Sequence, residues 1–214
     1  SGYMKEGFSQ IFMISSTGGK PIQVTTEKFN HYSFDWMSGS DGFVFSSNYT
    51  EDWEYDFRNS EIYSISVNGS NLQQLTDRNG PDMGAAVSPD GKSIAYLGYE
   101  DKVQTYQINN LTIMDIDGSN KRTIDIDLDR NIESLKWSAD GKNLYFMYDN
   151  YGNTKIATTN LTGRVRKLID DVGGTSIGRP YGGGSFSVSS EGEISYTLTS
   201  PYHPADIGYY EGNS

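Results

Sequence analysis

The sequence contains no cysteine, which excludes a disulfide framework, a thiolate nucleophile and a zinc–thiolate site. Histidine is nearly absent as well: His31 and His203 are far apart in the chain, and neither has a partner at a metal-ligand spacing. We therefore expect structural roles for both imidazoles, and we expect no metal ion and no other cofactor.

Positive charge is scarce, since 17 Lys and Arg residues stand against 28 Asp and Glu residues and give a net charge of −11. Nucleic-acid partners require clustered basic residues, so none is expected. No apolar run approaches the roughly 18 residues that a membrane-spanning helix needs. Composition does not fix the compartment. We expect a soluble protein of the bacterial cytoplasm or periplasm.

Glycine and aromatic residues are abundant, with 24 glycines, 16 tyrosines and an aromatic content of 13%. Tyr, Phe, Val, Ile and Thr fit the pleated, half-buried surface of a sheet. Helical periodicity is absent throughout. The composition therefore predicts an all-β fold.

One repeated pattern consists of two strand-like runs joined by a turn that ends in Asp-Gly or Glu-Gly. Its four copies read FDWMSGSDGFVFSS (34–47), AAVSPDGKSIAYLG (85–98), LKWSADGKNLYFMY (135–148) and FSVSSEGEISYTLT (186–199). The turn glycines Gly42, Gly91, Gly141 and Gly192 are 49, 50 and 51 residues apart. Trp36 and Trp137 occupy the same position of the repeat, and we expect both in the core between repeats.

A second pattern alternates with the first and has the sequence signature of a β-hairpin. Its copies read QIFMISSTGGKPIQVT (10–25), EIYSISVNGSNLQQLT (61–76), NLTIMDIDGSNKRTID (110–125) and KIATTNLTGRVRKLI (155–169), and a fifth begins at Asp206. Asx-Gly turns tolerate the positive φ angles that tight hairpins need. Each period of about 50 residues thus supplies four short strands, as a β-propeller blade does.

We therefore predict a single, partial β-propeller domain over residues 1–214, built of four-stranded antiparallel blades. The predicted blades are 9–26 (an outer half), 27–77, 78–126, 127–170 and 171–214 (incomplete). About four blades are present. A small four-bladed ring closed by 9–26 is one arrangement. A segment of a seven- or eight-bladed ring is the other, and we favour it. An open segment would expose apolar blade faces and favour self-association.

The strings VSPDGKSIAY (87–96) and WSADGKNLYF (137–146) resemble the WD40-like (PD40) repeat of two groups of propellers. These groups are the TolB-type propellers and the N-terminal propellers of prolyl oligopeptidase-class (S9) serine peptidases. Several longer stretches are similar to acylaminoacyl-peptidase-like members of the S9 class: 128–130, 149–152, 183–189, 194–197 and 200–207. The resemblance implies a propeller of seven or eight blades followed by an α/β-hydrolase domain, which this sequence does not contain.

One match to the nucleophile motif G-x-S-x-G occurs, with Ser176 as its serine. The motif functions where a strand turns sharply into a helix. Pro180 and three glycines follow Ser176, and this composition cannot propagate a helix. We expect no catalytic residue in this chain.

An acidic loop carries Glu51, Asp52, Glu54 and Asp56 and faintly resembles the D-W-x-Y-E-E segment of dipeptidyl-peptidase-like propellers. In that class the segment holds the amino terminus of the substrate, because paired carboxylates neutralise an ammonium group. We predict a substrate-gating role for these four residues. A solvated connection between two strands is the alternative interpretation.

The resemblance implies a non-catalytic propeller that gates and size-selects peptide substrates for a hydrolase domain, of acylaminoacyl- or dipeptidyl-peptidase type. Peptides and that hydrolase domain are then the expected partners. A TolB-like propeller that binds other proteins, with no enzymatic partner domain, is the alternative.

Overall fold

A computed structural model describes residues 7–174, 183–200 and 203–212, and almost all of its regular structure there is β-strand. A single 3₁₀ turn covers Ser38–Ser40 within these ranges. The strands in chain order are β1 (Phe12–Met13), β2 (Ile22–Gln23), β3 (His31–Trp36), β4 (Gly42–Ser47), β5 (Glu61–Ser66), β6 (Gln73–Gln74), β7 (Asp82–Val87), β8 (Ser93–Gly98), β9 (Asn110–Asp115), β10 (Arg122–Ile124), β11 (Ile132–Trp137), β12 (Asn143–Asn150), β13 (Asn153–Asn160), β14 (Val165–Val172), β15 (Phe186–Val188), β16 (Ile194–Ser200) and β17 (His203–Tyr210).

The strands form meanders in which neighbours in sequence are neighbours in the sheet. Strands β3–β6, β7–β10 and β11–β14 form four-stranded sheets, β15–β17 form a three-stranded sheet, and β1 pairs with β2. The printed strand registers within these sheets are antiparallel. A four-stranded antiparallel meander repeated along the chain is the blade of a propeller, so the predicted fold class is confirmed. The size of the ring stays a prediction.

The chain divides into two compact units. The first comprises Ser1–Val87, Gly91–Gln107 and Thr112–Arg122, and the second comprises Ser88–Asp90, Ile108–Leu111 and Thr123–Ser214. Strands β1–β8 lie in the first unit and β11–β17 in the second.

Two apolar clusters hold the first unit, one on each face of the β3–β6 sheet. On one face, Ile11 and Val24 beside the hairpin β1–β2 pack against side chains of β4 and β5, namely Phe43, Phe45, Tyr63 and Ile65. On the other face, Val44, Ile62, Leu75, Ala85, Ile94, Tyr96 and Met114 pack together. Because both faces are covered, β4 is buried along its whole length, and its sequence reads as a short apolar run.

The core of the second unit lies between the β11–β14 sheet and the β15–β17 sheet. It consists of Met147, Ile156, Ile169, Val172, Phe186 and Ile194. All six side chains are nearly inaccessible to water, and Ile156 and Ile194 are completely buried. Burial of this kind contributes about 1.5–3 kcal/mol for each large apolar side chain.

The first strand of each four-stranded sheet contains a β-bulge at the same position of the repeat. The register shifts between Tyr32 and Asp35 in β3, between Met83 and Ala86 in β7, and between Glu133 and Lys136 in β11. Ser33, Gly84 and Ser134 lie inside these bulges and have φ angles of 48°, 65° and 58°. A bulge bends its strand and increases the local twist.

The predicted burial of Trp36 is wrong, because 42% of this residue is exposed. Trp36 ends β3, an edge strand of its sheet that has a hydrogen-bonding neighbour on one side only. Its ring lies 4.2 Å from the ring of Phe43, centroid to centroid, and shields that buried side chain. Trp137, at the equivalent position in β11, is half-buried.

Three outer hairpin turns contain a glycine that approaches the backbone of the preceding repeat. A Cβ atom on Gly69 would lie 2.7 Å from the Val24 carbonyl oxygen, and one on Gly118 would lie 2.9 Å from that of Leu75. At Gly163 a Cβ atom would overlap the carbonyl oxygen of Asp125. These turn glycines therefore set how closely successive repeats pack.

Candidate functional site

The two long connections of the first unit leave from the same end of its strands. His31 pairs with Ser47 and Ser47 pairs with Glu61, so the start of β3, the end of β4 and the start of β5 coincide. In the next sheet Asp82 pairs with Gly98. A backbone hydrogen bond of 2.7 Å from Asp82 N to Ser60 O joins the two edges. Connections 48–60 and 99–109 therefore leave from the same edge.

A cavity of about 470 Å³ opens at this edge. Residues from segments 30–33, 46–60 and 81–83 line it together with Tyr99. Its large apolar and aromatic side chains are Tyr32, Trp53, Phe57, Met83 and Tyr99. Volumes of about 300–1,000 Å³ with mostly apolar walls are usual for small-ligand sites. We therefore take this cavity as the candidate binding site.

The 48–60 connection is held in shape by its own hydrogen bonds. Asn48 Nδ2 donates to Asp56 O at 2.8 Å, while Thr50 donates to Asn48 Oδ1 through both its amide and its hydroxyl. Trp53 packs edge-to-face against Phe8, with ring centroids 5.9 Å apart. These contacts place Trp53 in the cavity wall.

The four acidic residues predicted to gate substrates do not lie together at the cavity. Glu54 lines it, whereas Glu51 and Asp52 are exposed and not among the lining residues. Asp56 is half-buried, and its backbone carbonyl accepts the Asn48 hydrogen bond. The structure thus brings one of the four carboxylates to the candidate site.

An ion pair joins the two long connections beside the cavity. Arg58, which lines the cavity, lies 3.4 Å from the carboxylate of Asp101. Asp101 also accepts hydrogen bonds from the amide of Val103 at 2.7 Å and from Gln107 Nε2 at 2.9 Å. These donors, with a smaller contribution from Arg58, lower the pKa of Asp101. The sequence pattern did not single out this pair.

His31 supports the cavity from the opposite face of β3. Its Nδ1 lies 2.9 Å from the Ser9 carbonyl and its Nε2 lies 2.7 Å from the Tyr49 hydroxyl. Because the carbonyl can only accept, Nδ1 carries the proton and Nε2 accepts from Tyr49. Burial lowers the pKa of His31. The expected structural role agrees with this geometry, which anchors the strand that carries Tyr32.

Two buried carboxylates lie close behind the cavity, at the starts of β5 and β7. Thr76 Oγ1 donates to Glu61 Oε2 at 2.5 Å, and an Arg78 guanidinium nitrogen lies 3.1 Å from Asp82 Oδ1. Burial, only partly offset by Thr76, raises the pKa of Glu61 to about 7. Burial also outweighs Arg78 and raises the pKa of Asp82 to about 6.

Ser176 of the G-x-S-x-G match lies outside the described residues, and so does the Pro180 that follows it. No group of three or more His, Cys, Asp or Glu side chains within 7–174, 183–200 and 203–212 could hold a metal ion. In the same part of the chain no helix has the length and apolar character to cross a bilayer.

The sequence has curated relatives that are dipeptidyl peptidases, although no protein-family model matches the chain. It is 24% identical to dipeptidyl-peptidase 5 of Porphyromonas gingivalis over 154 residues, which are 70% of this chain and 22% of that protein. It is 31% identical to the probable dipeptidyl-peptidase 5 of Arthroderma benhamiae over 140 residues, or 59% of this chain and 19% of that protein. The chain thus spans about a fifth of the length of these curated relatives.

Solved structures with the same fold include TolB proteins and peptidases. TolB from Acinetobacter baumannii superposes with a TM-score of 0.69 at 18% identity, over 94% of this chain and 46% of that one. A puromycin hydrolase matches with a TM-score of 0.65 at 16% identity, over 95% of this chain and 33% of that one. The fold is that of a β-propeller, and the predicted resemblance to the propellers of S9-type peptidases is confirmed by relatives named dipeptidyl-peptidase 5.

Proposed function

We propose that this chain is the non-catalytic propeller portion of an S9-type serine peptidase, where it gates and size-selects peptides for a hydrolase domain. The observation that carries the proposal is the match to dipeptidyl-peptidase 5 proteins, which covers 59–70% of the chain but only about a fifth of each relative. The remaining four-fifths of such a protein has room for the hydrolase domain. The cavity lined by the 48–60 connection and the adjoining strands would supply a place where peptides are sampled.

Gating by a propeller needs no reactive side chain. A domain stacked over an active site leaves a narrow route to it, so that chain length and shape select the peptide before chemistry begins. Two features of the first unit suit this role. Its connections 48–60 and 99–109 leave one edge, and the Arg58–Asp101 ion pair couples them at a distance of 3.4 Å.

Glu54 is the acidic residue best placed to contact a peptide amino terminus. In the protein that carries this chain together with its hydrolase domain, Glu54→Gln should lower kcat/KM for dipeptidyl substrates about 10-fold, as expected for a charge-assisted hydrogen bond of ~1.5 kcal/mol. N-acetylated substrates should be unaffected, because they carry no ammonium group.

Glu51→Gln is the matched control, since it makes the same change in the same loop at an exposed residue outside the cavity wall. The control should retain full activity on both substrates. Equal losses of kcat/KM in the two variants, or no loss in either, would show that Glu54 does not contact the substrate.

The chain alone should not hydrolyse chromogenic dipeptidyl or acyl-aminoacyl substrates. Turnover by the isolated chain that disappears in Ser176→Ala would overturn the non-catalytic assignment. The comparison needs only purified chain and the variant at equal concentration, assayed beside the full-length peptidase.

A TolB-like binding module is the second candidate function, supported by the superposition on TolB over 94% of this chain. The gene sequence downstream of Ser214 distinguishes the two. A hydrolase domain with its own nucleophile elbow favours the peptidase, and a stop codon without such a domain favours the binding module.

A further inference from the structure

Two polar atoms in the cavity wall have no hydrogen-bond partner among the described residues. They are Ser46 Oγ and Asn59 Oδ1, and both are buried. Ser46 as a whole is only 2% exposed, and both residues line the cavity.

Leaving such atoms unpaired is costly. A buried donor or acceptor without a partner destabilises a fold, and native structures contain few of them. Two in one cavity wall indicate that a ligand completes their hydrogen bonding. Since an amide Oδ1 can only accept and a hydroxyl can donate, the ligand has to present both a donor and an acceptor.

Much of the rest of the wall is apolar or aromatic, and several of these side chains are exposed to solvent. Phe57 is 79% exposed, Tyr32 is 53% exposed and Met83 is 37% exposed. Large apolar side chains grouped at a cavity mark a place where apolar groups of a ligand are removed from water. A ligand that buries its own apolar surface here would cover these three side chains.

The charges at the site disfavour an anionic ligand. Glu54 and Arg58 line the same cavity with opposite charges, and Arg58 is already paired with Asp101. A phosphate or another strongly anionic ligand would face Glu54 and a protein of net charge −11. Ser46, Asn59 and the apolar side chains of the wall suit a group that combines an apolar body with one donor and one acceptor, which is the chemistry of a peptide backbone amide beside a large apolar side chain.

We infer that this cavity binds a large apolar side chain of a peptide together with its adjoining backbone amide, whose N–H donates to Asn59 Oδ1 and whose carbonyl accepts from Ser46 Oγ. This inference rests on the proposed function for its choice of peptides as the ligand class. It requires no free amino terminus, so it is separate from the contact assigned to Glu54.

The test is a titration of the ¹⁵N-labelled chain with N-acetyl-Gly-Phe-Gly-amide, a neutral probe with both ends blocked. We expect saturable chemical-shift changes confined to segments 30–33, 46–60, 81–83 and 99, and no saturation with N-acetyl-Gly-Gly-Gly-amide. Phe57→Ala and Tyr32→Ala should each weaken binding about 5–10-fold through lost apolar contact. Identical responses to the two peptides would overturn the inference.

The matched control is Tyr151→Ala, which removes an aromatic residue that is 93% exposed and lies outside the cavity wall. It should leave the affinity unchanged, and an equal weakening would show that the effect of Phe57→Ala is not local.

The amide contact has its own variant in Ser46→Ala. This change should lower the affinity for the phenylalanine probe about 3–10-fold, as expected for one hydrogen bond. It should not lower stability, because the hydroxyl has no partner in the free protein. Unchanged affinity in Ser46→Ala would overturn the amide contact.

The binding and activity experiments separate the two proposals. If the probe does not bind while Glu54→Gln still distinguishes free from acetylated substrates, the cavity assignment fails alone. If the probe binds as expected and the full-length protein shows no peptidase activity, the cavity assignment stands and the peptidase proposal fails.

Discussion

Gly163→Ala should lower the free energy of unfolding by at least about 3 kcal/mol, the range of a severe backbone or overpacking defect. Gly163 has a φ of 89°, a conformation that costs an L-residue about 1–2 kcal/mol. In addition, its new Cβ atom would overlap the Asp125 carbonyl oxygen, so the turn and the preceding repeat would have to move apart. The second effect exceeds the first because both partners of the clash are backbone.

Gly152→Ala isolates the conformational part of that cost. Gly152 has a φ of 80° and also lies in a hairpin turn of the second unit, but a Cβ atom there meets nothing within 4 Å. Its replacement should cost only about 1 kcal/mol. Urea unfolding of both variants measures the two free energies. Equal losses would mean that the approach of Gly163 to Asp125 does not limit the packing of the repeats.

The contribution of the buried carboxylates of Glu61 and Asp82 to stability should fall as the pH rises from about 4 to about 7. The pKa of Glu61 is raised to about 7 and that of Asp82 to about 6, so both hold their protons in the folded chain at pH values where the unfolded chain has released them. Their contribution is therefore fully present below the ordinary pKa values of 4.5 and 3.8 and is lost as the pH rises through the raised ones.

Glu61→Gln should remove most of the upper part of this dependence. The residue is only 8% exposed, and the rise of its pKa from 4.5 to about 7 corresponds to a penalty of about 3 kcal/mol for the ionised form, at about 1.4 kcal/mol per unit. The variant should be more stable than the parent by about 1–3 kcal/mol at pH 8 and nearly equal to it at pH 4.5. Glutamine keeps an acceptor for the Thr76 hydroxyl, so the neutral hydrogen bond survives.

Charged neighbours also act on the two carboxylates. Repulsion from Asp82 and Asp77 raises the pKa of Glu61, whereas Arg78 and Lys121 lower the pKa of Asp82. Glu51→Gln makes the same change on an exposed loop and should leave the pH profile unaltered. Denaturant unfolding at half-unit steps from pH 4.5 to 8 gives the profile. A Glu61→Gln profile parallel to that of the parent would show that Glu61 is not the titrating group.

The repeat spacing was sufficient to predict the all-β fold and its four-stranded units. The Asx-Gly turns and alternating strands are local signals, and they do not depend on distant contacts. The bulges at Ser33, Gly84 and Ser134 were not predicted, because they arise from the fit between the first strand and its neighbour. The exposure of Trp36 was missed for a similar reason: its sequence position marks the repeat but does not show that β3 has one hydrogen-bonded neighbour.

The candidate site was much harder to predict than the fold. The acidic loop drew attention to residues 51–56, and this loop does reach the cavity through Trp53 and Glu54. However, Ser46 and Met83 belong to different strands, and they look like ordinary strand residues in the sequence. Only the pairing of the strands brings such positions to one wall, so no motif could have identified them.

The two ends of the strands in the first unit should differ in how readily they accept insertions and substitutions. A Cβ atom added to Gly69 or Gly118 would lie less than 3 Å from the carbonyl oxygen of Val24 or Leu75. This end of the strands should therefore tolerate neither insertions nor larger residues. The 99–109 connection at the opposite end is largely exposed, and Val103 there is 79% accessible. Exchanging this connection for one from a relative should therefore change the surface beside the cavity while the sheets stay intact, so that one end of the strands is open to variation and the other is a fixed frame.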